Sequence, residues 1–240
     1  MKKLFSTLGM MAMFSLCLFT SCKDGDDIRV ATTTTAKVDQ AAVQKATNNA
    51  ANQSATQAVS QAQAEVAKTG AQPTGVTTNP DGSKTTTYDN GTTVTQTQPE
   101  TNTDGSVTTT VTTENIDGSS KAVEVTTNYT YTMNGTSYSN MEEIQNALRS
   151  LPAGSVAVVV VTLTETTTTT TIDAAGNKAS ETDSKEKSTS STIEIPVAGQ
   201  TLTSEVEMPV NVNTEETTPV DVVVQTTTTE EPTHSGGAGA

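Results

Sequence analysis

Between Gly75 and Thr229 the residues that favour a pleated surface come in short runs, Val107 to Thr113 and Ala122 to Thr132 among them. Threonine, valine and tyrosine suit a half-buried strand. Turn signals close the runs: Asn79-Pro-Asp-Gly82, Asn102-Thr-Asp-Gly105, Asn115-Ile-Asp-Gly118, Asp89-Asn-Gly91 and Asn134-Gly135. Asp-Gly and Asn-Gly supply the positive φ angles of tight hairpins. The pattern predicts a mainly β fold, a threonine-rich antiparallel meander of hairpins over residues 75–229.

One helix interrupts the strands. Met141, Ile144, Ala147, Leu148 and Leu151 recur at helical spacing. Ser139 and Glu142 read as a capping box in front of them, and Pro152 follows. An amphipathic helix over 139–149, packed on a sheet, is expected. Val156 to Leu163 is apolar at both alternating positions, which predicts a strand buried on both faces. Its continuation, Thr166 to Thr171, is polar, and residues 173–177 turn it back towards Ile193, Ile195 and Val197. A turn centred between Ala175 and Gly176 sets Val158 opposite Ile193, Val156 opposite Ile195 and Thr170 opposite Glu181. The distal part, Thr164 to Lys187, is then a polar arm of about 33 Å. Such a ribbon has a weakly specified register, so flanking strands or a partner should cover its edges. Further strands are expected near Thr201 to Val212 and Thr217 to Thr229.

The period changes upstream. Residues 36–70 are rich in Ala and Gln and free of Gly and Pro until Gly70, which favours helix. A heptad can be laid on them, with Val38, Lys45, Asn52, Val59 and Val66 in one column and Ala41, Asn48, Ala55 and Ala62 in the other. The reading is a helical stalk, with its stop at Gly70 and Pro73. Residues 22–35 read as a tether, and residues 230–240, ending in a Gly-Ala tail, as disordered.

The first 27 residues differ from all of this. Lys2 and Lys3 precede a mostly apolar stretch, Leu4 to Leu18, and Phe19-Thr20-Ser21 leads into Cys22. This resembles a relaxed lipobox, of the kind found in lipoproteins of Bacteroidota and spirochaetes. The resemblance implies a signal peptide over 1–21, cleaved before Cys22, whose thiol is diacylated. The acidic run Lys23-Asp-Gly-Asp-Asp27 is similar to the export signal that places many Bacteroidota lipoproteins on the outer face of the outer membrane.

Composition narrows the function. Loss of residues 1–21, which hold two of the 13 basic residues and none of the 27 acidic ones, moves the net charge from −14 to −16. Nucleic acid is a poor partner at that charge. All three phenylalanines lie in the same segment and the chain has no Trp, so only four tyrosines, Tyr88, Tyr129, Tyr131 and Tyr138, remain for a core. Threonine supplies about a fifth of the chain, a bias that makes polar strand surface the main product of folding. The single histidine, His234, stands in the tail, and no nucleophile elbow, Walker loop or His-Glu-x-x-His occurs. No catalytic residue, cofactor or metal is expected.

The sequence therefore reads as a lipid-anchored, surface-exposed envelope protein of the outer membrane. It would act as a non-catalytic structural or adhesin-like interaction module, anchored at Cys22 and meeting a protein or glycan partner. Stalk and sheet edges are surfaces for self-association. Two alternatives stand beside it. One is a periplasm-facing lipoprotein that oligomerises through its stalk, to be compared with the murein lipoprotein, although this chain lacks a terminal lysine. The other is a glycan-binding module, which would lack tryptophan platforms.

Overall fold

The computed structural model describes residues 28–232. The signal, Cys22, the acidic run and His234 lie outside them. The chain divides into a body, Ala31–Thr229, and a smaller unit of the two chain ends, of which 28–30 and 230–232 are described, as strand.

The body is mainly β and antiparallel, as the turn pattern predicts. Strand β1 (Ile28–Val38) leads into helix α1 (Gln40–Ala67). A meander follows: β2 (Pro73–Thr78), β3 (Lys84–Tyr88), β4 (Thr93–Gln96), β5 (Glu100–Thr101), β6 (Val107–Glu114), β7 (Ser120–Met133) and β8 (Thr136–Tyr138). Then come α2 (Met141–Leu148), the long strands β9 (Val156–Ile172) and β10 (Lys178–Glu194), and β11 (Gln200–Pro209) and β12 (Thr217–Pro232). Nine strands form one sheet in the order β10-β9-β7-β6-β4-β3-β2, with β5 beside β6 and β8 beside β7. The other sheet has three strands, β1-β12-β11.

The hairpins are built on a three-residue loop. In the Asn102 turn, the Asn102 N–H donates to the Ser106 carbonyl at 2.8 Å and the Gly105 N–H to the Asn102 carbonyl at 3.0 Å. The same pair of bonds closes the turns at Asn79, Tyr88, Asn115 and Asp173. A three-residue loop of this kind needs a left-handed residue at its third position, and Gly105 sits at φ +84°. At Asp173 the extra loop residue corrects the register expected for the long hairpin. Val158 faces Thr192, Ala157 faces Ile193 and Thr170 faces Ser180.

A second correction concerns the apolar run. Ala157, Val159, Val161 and Leu163 are fully buried, but Val156 is 53 % and Val158 42 % exposed. From Val159 to Ile172, β9 lies between β7 and β10, so one side of the arm is flanked by a neighbouring strand, while β10 forms the edge of the sheet. Nothing among the described residues covers its outer face. α2 packs inside instead, with Met141, Ile144 and Leu148 in the main core. Its N-cap is Asn140, one residue later than expected. Asn140 Oδ1 accepts from the Glu143 N–H at 2.9 Å, and the Glu143 carboxylate accepts from the Ser139 N–H at 2.7 Å.

The helix expected over residues 36–70 is present as α1, Gln40–Ala67, but it is not a free stalk, and the tether reading of residues 22–35 is corrected over 28–35. Residues 28–38 are a strand whose alternation drives Ala36 and Val38 into the core. Descending contacts, Thr34 with Thr226 and Asp39 N–H with the Asp221 carbonyl, set β1 antiparallel to β12. α2 finishes the other edge of β1: Gln145 accepts from the Val38 N–H at 2.8 Å and Arg149 donates to the Ala36 carbonyl at 3.1 Å. α1, capped by Asp39, lies on the nine-stranded sheet. It buries Ala46, Ala50, Ala51, Ser54, Ala55, Ala58, Ala62 and Val66, while the heptad positions Lys45, Asn48 and Asn52 are exposed. The buried positions form a row of every fourth residue from Ala46 to Val66, with Ala51 and Ala55 beside it, and not the alternating three-and-four spacing of a coiled-coil seam. The folded domain therefore begins before α1 and not at residue 75.

The core has two parts. One, around α2, joins both sheets through Tyr129, Tyr131, Met133, Val159, Val161, Ile193, Val206, Met208, Val220 and Val222. The other lies beneath the second half of α1 and uses Tyr88, Val94, Val111 and Val125. Tyr129 and Tyr131 stack at 6.3 Å, and the Tyr129 hydroxyl donates to the Pro209 carbonyl at 2.5 Å.

Two measurements check this packing. Gly105→Val meets no atom but must hold a β-branched residue at φ +84°, and should lower stability by about 1–3 kcal/mol in urea melts. Burial raises both core tyrosines, Tyr131 to about 12. The folded state keeps these protons, so their contribution is complete below the ordinary value near 10 and is lost as pH rises through the raised values. Ultraviolet titration should show these two tyrosines ionising above the ordinary tyrosine value, with stability falling above about pH 10.

Candidate functional site

Among the described residues no cluster of catalytic or metal-ligating side chains marks a site, so the candidate is built from surfaces. The pleat sends odd-numbered residues of β7, β9 and β10 to the inner face and even-numbered ones to the outer face. On the inner face the apolar positions of β9 give way to Glu165, Thr167 and Thr169, and the paired positions of β10 are Glu181, Asp183 and Lys185. α1 crosses above with Ser54, Gln57 and Gln61. Between them lies an open groove of about 630 Å³, floored by Val123 and Val125.

Polar contacts fix the groove's walls. The Ser54 hydroxyl donates to the Glu165 carboxylate. Asn211 Nδ2 donates to Gln53 Oε1 at 2.8 Å, and Gln53 Nε2 to Glu216 at 3.0 Å, tying the helix to the β11–β12 loop. Lys187 pairs with Glu215 of that loop. A second groove, of about 740 Å³, lies where the start of α1 (Gln44, Thr47) meets Asn128 and the Asn102 turn.

The outer face is a sheet of hydroxyls. Ser180, Thr170, Ala122, Thr112, Thr95, Thr85 and Thr77 are successive partners across seven strands. Neighbouring hydroxyls bond across the strands: Thr85 with Thr95 at 3.0 Å, Thr108 with Thr126 at 2.9 Å, Thr166 with Ser184 at 3.0 Å, and Thr168 with Thr182 at 3.1 Å. Each such pair contributes about 0.2–1 kcal/mol, so the face supports the sheet without apolar cover. The hydroxyls repeat at about 4.8 Å across strands and about 6.7 Å along them.

The turn tips carry a shared network. In three of them an Asn side chain donates to Ser, and Ser donates twice to Asp: Asn102 to Ser106 at 2.8 Å, then Ser106 Oγ and N–H to Asp104 at 2.7 and 3.0 Å. The Asn79 and Asn115 turns repeat it. The Ser hydroxyl first, then its N–H, holds Asp81, Asp104 and Asp117 below the ordinary carboxylate value.

Chemically these surfaces offer hydrogen bonds of both senses and a few charges. Residues 28–232 contain neither His nor Cys, and no three acidic side chains among them gather as metal ligands. Cys22, the residue expected to carry lipid, is outside the described residues. Sequence reasoning missed the groove because it placed Ser54, Gln57 and Gln61 on a free stalk and Glu165 on a distant arm. The odd-position series running from Val159 through Leu163 to Thr169 was the available signal. Comparison with family models, with curated proteins and with solved structures finds no match to this chain.

The turn network has a pH signature. Each depressed Asp contributes fully above the unfolded value near 3.9, and the contribution is lost as pH falls through the lower native value. Ser106→Ala should return Asp104 towards the ordinary carboxylate range, read from its side-chain carbonyl resonance in an NMR titration. An unchanged midpoint would place the cause elsewhere.

Proposed function

We propose that the chain is a lipid-anchored protein of the cell envelope, exposed on the outer membrane, and that it works as a non-catalytic structural or adhesin-like interaction module. The observation that carries this reading is the lipobox-like segment ending in Cys22. Only five residues, the acidic run 23–27, separate Cys22 from strand β1. An acylated Cys22 would therefore hold the domain near the bilayer on a short leash, and several acyl chains would anchor it firmly. Broad faces of hydroxyl and amide groups suit contact with a protein or a hydrated surface.

A glycan ligand is the second reading, favoured by the groove beneath Ser54, Gln57 and Gln61, where hydroxyl, amide and carboxylate groups converge over an aliphatic floor. Oligomerisation through a stalk is not proposed, because the apolar stripe of α1 is buried against the sheet.

Metabolic labelling with a fatty-acid analogue tests the anchor. Wild-type chain should take up label and stay in the membrane fraction, and Cys22→Ala should lose both. Protease added to intact cells should cleave the wild type. Absence of label on the wild type would remove the basis of the localisation.

A further inference from the structure

The end strand of the larger sheet is open over its distal half. β10 stands last in the strand order, and every residue from Lys178 to Glu186 is exposed. Among the described residues no strand pairs with its outer edge. We propose that this edge joins the same edge of a second copy, giving a two-fold dimer in which the nine-stranded sheets run on into one another about an axis at Ser184.

Charge selects the register. An axis perpendicular to a continuous sheet keeps the faces, so odd residues oppose odd residues and even oppose even. With the axis at Ser184, Glu181 faces Lys187 and Asp183 faces Lys185, and symmetry repeats both pairs. Neighbouring registers fail. An axis at Asp183 or Lys185 sets that residue against itself. An axis at Thr182 opposes Glu181 to Asp183, and one at Glu186 opposes Lys185 to Lys187. Opposite charges across strands stabilise and like charges destabilise. On the outer face Ser180 would meet Ser188, extending the hydroxyl pairs already present between β9 and β10. Lys187 holds Glu215 within its own chain, and that carboxylate is 91 % exposed, so the lysine can serve both acids. The proposal does not depend on acylation of Cys22.

Lysines on an edge also serve to prevent pairing. The test separates the two roles. In the dimer Ser184 faces its own copy, at a Cα spacing of about 4.5–5.5 Å that a disulfide can span. The full chain carrying Ser184→Cys should form a 184–184 disulfide under mild oxidation, identified by peptide mass. Thr182→Cys and Glu186→Cys should each self-link at least tenfold less, yet link to one another when mixed. Glu181→Lys with Asp183→Lys should abolish the 184–184 link. Adding Lys185→Asp and Lys187→Glu should restore it, a rescue that a folding defect would not give. Equal linking at 182, 184 and 186, or no 184–184 link in a chain whose circular dichroism matches wild type, overturns the proposal.

Discussion

The close seating of an alanine-faced helix on a valine-rich sheet is the constraint on which the rest of this structure depends. The described chain has no Phe and no Trp, so it must reach interior density with small and β-branched side chains. Ala46, Ala50, Ala55, Ala58 and Ala62 present little bulk, which lets the helix backbone approach Val94, Val111, Val125 and the paired tyrosines. A larger residue at Ala50 would force that helix off the sheet. The same seating creates the groove, since the helix spans the inner face just where the strand's apolar positions turn to Glu165, Thr167 and Thr169.

Much of the sheet was legible because its turns are local. Asp-Gly and Asn-Gly marked the hairpins, and the apolar stripe of Met141, Ile144 and Leu148 marked α2. Errors arose where the deciding contact was distant or weakly apolar. Thr32 to Thr35 carry no hydrophobic alternation, and their partner strand lies about 190 residues later. Alanine gives a faint helical stripe, so a heptad with Lys45 and Asn52 looked as good as the true face. The long hairpin slipped by one residue because the expected two-residue loop, Ala175-Gly176, and the observed three-residue loop, Ala174-Ala175-Gly176, end on the same glycine.

Those misreadings bear on the site. A helix taken as a stalk left its Ser and Gln residues without a facing wall. Val156 and Val158, placed inside by composition, are outside because sheet pleat and not hydrophobicity alone decides the face. The domain that results has polar broad faces, a hydroxyl sheet on one side and a helix-roofed groove on the other. Its recognition chemistry is that of hydrogen bonds and cross-strand charge pairs.

Amide hydrogen exchange along α1 tests the central claim most directly. Seated on the sheet, the amides from Ala50 to Val66 should exchange as slowly as those of β7 and β9, because they open only with the core. Exchange of that helix at rates of an isolated peptide, beside protected strands, would contradict the account.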